Sequence, residues 1–337
     1  MRTFLPCRSI AHVAMAALGA IASAAAVAGE SDILWRNAAT GQDVLWKSGR
    51  STTPVVLPSV AAQGWHVAGT GDFDGDGADD TLWRDTVGGR NVIWRSCNAA
   101  TPLAAATVAS RDWVVAGVGD FDYDGADDLL WHNLRTGAST IWKRGNAGTP
   151  MPVTTIANLG WKIVGVGDFD GDRYDDILWR EDASGRNAIW RWGNSAMPLA
   201  VATVPNRAWT VAGIGDFDGD HRADIFWRNT STGQDAIWRA GSAAAAIGVA
   251  TVANASWHVA GVGDFNNDGM DDVLWRDDAS GRNAIWRSGN ASLQTAVTPV
   301  ASSAWRVAAV AEFDDDMPEP NPDPNPEPPP YPMYPYN

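Results

Sequence analysis

The chain has 337 residues, a formal charge of −15, 19 tryptophans and two cysteines. Such an acidic balance excludes a surface built for the phosphate backbone of nucleic acid. The length would suit two ordinary domains, but an internal repeat overrides that prior.

Residues 1–28 read as a secretory signal. Arg2 and Arg8 precede an apolar stretch from Ile10 to Val27, and Ala26-Val-Ala28 is a small-residue cleavage site. A membrane anchor is the alternative; small residues dominate, however, and no second apolar span follows. Cys7 leaves with this segment, so Cys97 stands alone and the mature chain has no internal disulfide. The expected location is secreted or cell-surface, with the periplasm as a variant, and the expected state is a monomer.

The mature chain begins inside a repeat, because Asp32-Ile-Leu-Trp-Arg36 aligns with Asp80-Thr-Leu-Trp-Arg84. The first complete unit starts at Trp65. Its spacing predicts a strand over Trp65 to Gly71, an acidic loop, and a second strand at Thr81 to Arg84. A turn at Gly89, a third strand over Asn91 to Arg95 and a fourth at about Leu103 to Ala109 complete it. Glycine recurs at the turn as Gly41, Gly89, Gly137, Gly185, Gly233 and Gly281, as a hairpin needing one left-handed residue requires.

The acidic loop carries Asp72, Asp74, Asp76 and Asp80 at positions 1, 3, 5 and 9, with Gly77 at position 6. Alternate side chains of a tight loop converge on one point, giving an all-oxygen cage of several negative charges. That donor set suits Ca2+ better than magnesium, which keeps its waters and demands stricter geometry. Four further copies follow, each displaced by 48 residues. They are Asp120, Asp122, Asp124 and Asp128; Asp168, Asp170, Asp172 and Asp176; Asp216, Asp218, Asp220 and Asp224; and Asp264, Asn266, Asp268 and Asp272. One such loop would read as a solvated acidic turn; five in one register read as five Ca2+ sites. Arg173 and His221 replace the position-6 glycine, which predicts weaker metal binding in the third and fourth loops.

Trp305 to Asp316 aligns with the start of a unit and then stops. The two terminal fragments sum to one unit, giving six in all. A linear solenoid would need polar end caps; complementary ends imply a closed ring. The expected fold is therefore all-β, a six-bladed β-propeller of four-stranded blades whose last blade is shared by both ends. A sixth metal site would combine Glu312, Asp314 and Asp316 with Asp32; the alternative is a degenerate, empty loop. The Pro-rich tail, residues 317–337, cannot bury a core and is expected to be extended.

Tryptophan follows the repeat. Eighteen of them occupy one position in each of the first three strands, and Trp192 alone lies outside the register. Packing between blades explains most. The first-strand set (Trp65, Trp113, Trp161, Trp209, Trp257 and Trp305) would lie on the face opposite the acidic loops and is the candidate for stacking on sugar rings. On that face Asp85 goes with Arg90, Glu181 with Arg186 and Asp277 with Arg282, while Asn37 goes with Gln42 and Asn229 with Gln234. The reading is a set of cross-turn pairs.

The repeated Gly-Asp-Phe-Asp-Gly-Asp-Gly-Ala-Asp-Asp followed by Leu-Trp-Arg resembles the FG-GAP/VCBS-type repeat family over about residues 30–316. Similar repeats form β-propellers in integrin α-chains and a fungal lectin, often with seven blades. The resemblance implies that the loop carboxylates named above are calcium ligands. No histidine position recurs in most repeats, although His66 and His258 share one, and no nucleophile elbow, zinc-ligand spacing or phosphate loop is present. The expected function is a non-catalytic recognition module for glycans or extracellular surface proteins. A structural or adhesive envelope protein is the alternative, and a polysaccharide-cleaving enzyme the minor one.

Overall fold

The computed structural model describes residues 29–52, 54–60 and 64–313. The expected signal, the tail, and Asp314 and Asp316 of the sixth loop lie outside these residues. Six four-stranded antiparallel sheets form the fold, and their innermost strands neighbour one another all the way round, so the ring is closed. Counting from Trp65, blade one consists of Trp65–Gly71, Asp80–Asp85, Asn91–Trp94 and Pro102–Ala105. No α-helix occurs among the described residues, and none of their helices is long and apolar enough to cross a membrane.

The burial gradient explains the strand sequences. The second strand is buried along its whole length, the third alternates, and the outermost is largely exposed. The innermost strand is glycine-rich because neighbouring blades converge there. A Cβ on Gly69 would sit 2.7 Å from Val118 of the next blade, and one on Gly213 would sit 2.6 Å from Val262. Each complete blade also carries a bulge in this strand, between Val67 and Gly69 in blade one, which sharpens its twist.

The sixth blade closes the ring as the complementary ends predict. Trp305–Ala311 pairs antiparallel with Asp32–Asn37, joining Ala311 to Asp32 and Trp305 to Asn37. That pairing rules out an open solenoid.

Blades are locked together through their second strands. Trp35, Trp83, Trp131, Trp179, Trp227 and Trp275 are fully buried, and each packs on the third-strand tryptophan of its own blade, as Trp83 does on Trp94 at 4.9 Å. Over each buried ring lies a side chain from the preceding blade. Arg84 stacks on Trp131 and Arg228 on Trp275, both at 4.8 Å, while His132 meets Trp179 edge-on. The same Arg84 donates to Asn91 and to the carbonyls of Val108 and Trp113. One guanidinium thus satisfies acceptors in two blades while its face covers an indole.

The turn glycines are required twice over. Gly137 has φ 73°, and a Cβ there would overlap the carbonyl oxygen of Ile156. Gly125, in a metal loop, has φ 80° but open space around it. Gly125→Ala should therefore cost only left-handed strain, about 1–2 kcal/mol. Gly137→Ala should cost about 1–3 kcal/mol more through overpacking, as read by urea denaturation with calcium present.

Candidate metal centres

Each acidic loop is wound around its first carboxylate. Asp72 Oδ1 accepts from the backbone N–H groups of Gly75 and Asp76, and Oδ2 accepts from Gly77 at 2.9 Å. Asp80 opens the second strand; its Oδ2 accepts from Phe73 and its Oδ1 from Ser96, in the short turn after the third strand. One oxygen each from Asp72, Asp74 and Asp80 lies within 4.8 Å of the others. The same holds for Asp120, Asp122 and Asp128, for Asp168, Asp170 and Asp176, and for Asp216, Asp218 and Asp224. In the fifth loop Asp264 and Asp272 remain, and Asn266 replaces the third carboxylate.

A cation fits this arrangement. Asp74 Oδ1, Asp122 Oδ1 and Asp218 Oδ1 are buried with no hydrogen-bond partner, and such atoms are costly to leave unsatisfied. The charge also balances. A basic residue from the turn after the third strand pairs with position 3 in four loops: Arg95 with Asp74, Lys143 with Asp122, Arg191 with Asp170 and Arg239 with Asp218. Three converging carboxylates and one such cation leave a net charge of about −2, the complement of a hard divalent ion. Burial, helped by the neighbouring carboxylates, pushes Asp80, Asp128 and Asp224 up to about 7 and Asp176 to about 8.

The position-5 carboxylates are not in these converging groups. Asp76, Asp124, Asp172, Asp220 and Asp268 each accept a bond from the backbone N–H two residues on. At the sixth loop Asp32 Oδ1 accepts from Ser48 as Asp80 does from Ser96, and the Glu312 carboxylate accepts from the N–H of Gly29.

Sequence reasoning missed a second aspartate, the one just before position 9. Asp127 is buried, its carboxylate accepts from Asp72 N–H and its own N–H donates to Asp72 C=O. Asp175 clamps Asp120 and Asp271 clamps Asp216 in the same way. Asp79 clamps Glu312 across the ring closure. Neighbouring metal loops are thereby coupled around the ring. The doubled Asp-Asp of four units was the signal; Ala223 and Ser31 interrupt it.

On the opposite face the six first-strand tryptophans are half-buried. Arg90, Arg186 and Arg282 lie over Trp65, Trp161 and Trp257 while pairing with Asp85, Glu181 and Asp277. No cation stacks on Trp113, Trp209 or Trp305 among the described residues. The acid–arginine pairs are real contacts, but the amide pairs are not. Asn37 and Asn229 instead cap their own turns through backbone N–H groups, and no side-chain bond joins either to its glutamine. A short amide reaches its own loop more easily than it spans the hairpin.

Five bulky residues adopt left-handed backbone in the metal-face loops. Arg173 (φ 74°) and His221 (φ 62°) stand where other loops have glycine, and Tyr123 (φ 57°) stands where others have glycine or asparagine. Arg144 (φ 51°) and Trp192 (φ 53°) occupy the turn position filled elsewhere by serine or alanine. At about 1–2 kcal/mol of strain for a non-glycine residue, Arg173→Gly should tighten calcium binding by the third loop. Calorimetric titration checks this, and an unchanged third-loop affinity would refute it.

Residues 168–227, from the third loop through the second strand after the fourth, match the FG-GAP-like repeat. The same acidic loop recurs in register in five blades of the ring. The chain is a six-bladed β-propeller that carries an FG-GAP-like repeat. No curated protein matches it in sequence. Among solved structures, an Agrocybe aegerita lectin that recognises non-reducing terminal N-acetylglucosamine shares the propeller at 15% identity and TM-score 0.57, covering 86% of this chain and 97% of the lectin. A structure of the nidogen/laminin complex is similar at 9% identity and TM-score 0.55, over 83% of this chain and 97% of that one. At these identities the likeness concerns the fold alone.

Proposed function

We propose that this propeller is an exported, non-catalytic recognition module for glycans, stabilised by Ca2+ in its acidic loops. The observation that carries the metal is the set of buried, unpartnered carboxylate oxygens converging within loops that otherwise satisfy their own backbone. Calcium is the hard cation whose coordination tolerates such flexible all-oxygen sites, at affinities of about 10⁻⁴–10⁻³ M for extracellular modules. The signal-like residues 1–28 support export into that calcium-rich setting. In this reading the metal is structural: it neutralises the loops and holds the ring's surfaces in one shape, and ligand binding uses those surfaces. The lectin of similar fold supports a glycan ligand.

The test is a glycan array probed with full-length protein in calcium and again with chelator. Discrete sugar hits that vanish on chelation are expected. An array without hits would sink the glycan reading and leave the adhesive envelope protein.

A further inference from the structure

The 19th tryptophan has no place in the repeat, and the structure shows what surrounds it. Trp192 meets Tyr174 edge-on at 5.7 Å, Tyr174 meets Tyr123 at 5.6 Å, and Arg173 lies over Tyr123 while donating to its hydroxyl at 2.7 Å. Trp192 Nε1 donates to Asp172 Oδ2 at 2.8 Å. This strip crosses the seam between blades two and three on the metal face. Tyr123 is 45% exposed, and Arg173 is exposed, with no ion pair among the described residues.

Three of these four residues hold left-handed backbone, at positions where other blades carry glycine, asparagine, serine or alanine. Two more bulky residues of that kind, Arg144 and His221, flank the strip in blades two and four. In blades five, six and one the corresponding left-handed positions among the described residues hold only small residues or asparagine, while the place of Tyr174 holds Met270 in blade five and Ala78 in blade one. Strained, bulky side chains gathered in one sector of a repeat protein serve something other than the fold: glycine is the unstrained choice at the positions of Tyr123 and Arg173, and a small residue suffices at that of Trp192.

We propose that the Tyr123–Tyr174–Trp192 strip, with Arg173, is a binding site for a neutral pyranose. This rests on the glycan reading above and places the ligand on the metal face, not on the opposite tryptophan ring. A pyranose presents a C–H face and a rim of hydroxyls. The exposed Tyr123 ring and the half-buried Tyr174 and Trp192 rings match the face, and Arg173, the tyrosine hydroxyls and Asp172 match the rim. Local charge favours a neutral sugar: with calcium in the loops, their carboxylates together with Lys143, Arg144 and Arg191 would leave no strong field of either sign.

The repeat itself supplies the test. Tyr123→Gly, Arg173→Gly and Trp192→Ser install residues that other blades already carry. Binding of full-length protein in calcium is measured against glucose, mannose, galactose and N-acetylglucosamine, each displayed on a soluble polymer. The triple variant should lose affinity for the bound sugar by about tenfold or more, while its melting temperature stays level or rises. Trp209→Ala, on the opposite face, should bind normally. If wild type binds a sugar and the triple variant binds it equally well, the site is refuted and the glycan reading stands. If wild type binds none of the four while the array yields other glycans, the neutral-pyranose assignment is refuted; if the array is also blank, both readings fall.

Discussion

Chelation should lower the melting temperature of this propeller by about 15 °C or more. The expectation follows from mass action. A ligand present at 10 to 100 times its dissociation constant stabilises the folded state by about 1.4–2.7 kcal/mol per site, and five such loops act on one ring. A domain of this size loses about 2–4 °C per kcal/mol. The clamps from Asp79, Asp127, Asp175 and Asp271 to the preceding loops should make the losses cooperative. Scanning calorimetry across a calcium series measures both. The pH dependence should invert on chelation. Without metal, position-9 carboxylates raised to about 7 or 8 bind protons more tightly folded than unfolded. Their stabilising contribution is therefore full below the ordinary aspartate range and is lost as pH rises through 7 to 8. With calcium, the ionised form is the one that binds, so stability should rise over the same window. A metal-free protein more stable at pH 8 than at pH 5 would contradict the cage.

Arg228→Leu should destabilise the calcium-loaded protein by about 3–5 kcal/mol, because it strands a buried charge. Arg228 Nη1 donates to both carboxylate oxygens of Asp235, which is fully buried, and Nη2 donates to the carbonyls of Val252 and Trp257. Burial already keeps Asp235 up at about 6 despite that partner. The molecule contains its own rescue: blade two carries His132 and Ser139 at these places, joined at 2.8 Å. Arg228→His with Asp235→Ser should recover about 2 kcal/mol relative to the leucine variant. Denaturant melts of the two proteins decide it; equal stabilities would show that the pair does not act as a unit.

Much of this architecture was legible because the repeat is strict. Loop, turn and tryptophan each recur in phase, so blade number and ring closure followed from counting. What stayed hidden is what crosses between units. Asp79 and Asp80 look alike in sequence, yet the pleat turns successive side chains to opposite sides: Asp80 closes its own loop and Asp79 reaches the neighbouring one. Arg84 recurs visibly in five blades, but nothing in its spacing says that its guanidinium lies on the next blade's Trp131. The Asn–Gln pairs were misread because covariation by repeat was taken for contact.

The seam joining Asp32–Asn37 to Trp305–Ala311 also sets the order of assembly. Five sheets form from neighbouring segments, but the sixth waits for the end of the chain, and contacts this distant in sequence form slowly. Until then Asp32–Asn37 presents an unfilled edge. In concentrated refolding mixtures that edge is the natural acceptor for the closing strand of a second molecule, giving exchanged dimers that dilution before folding suppresses.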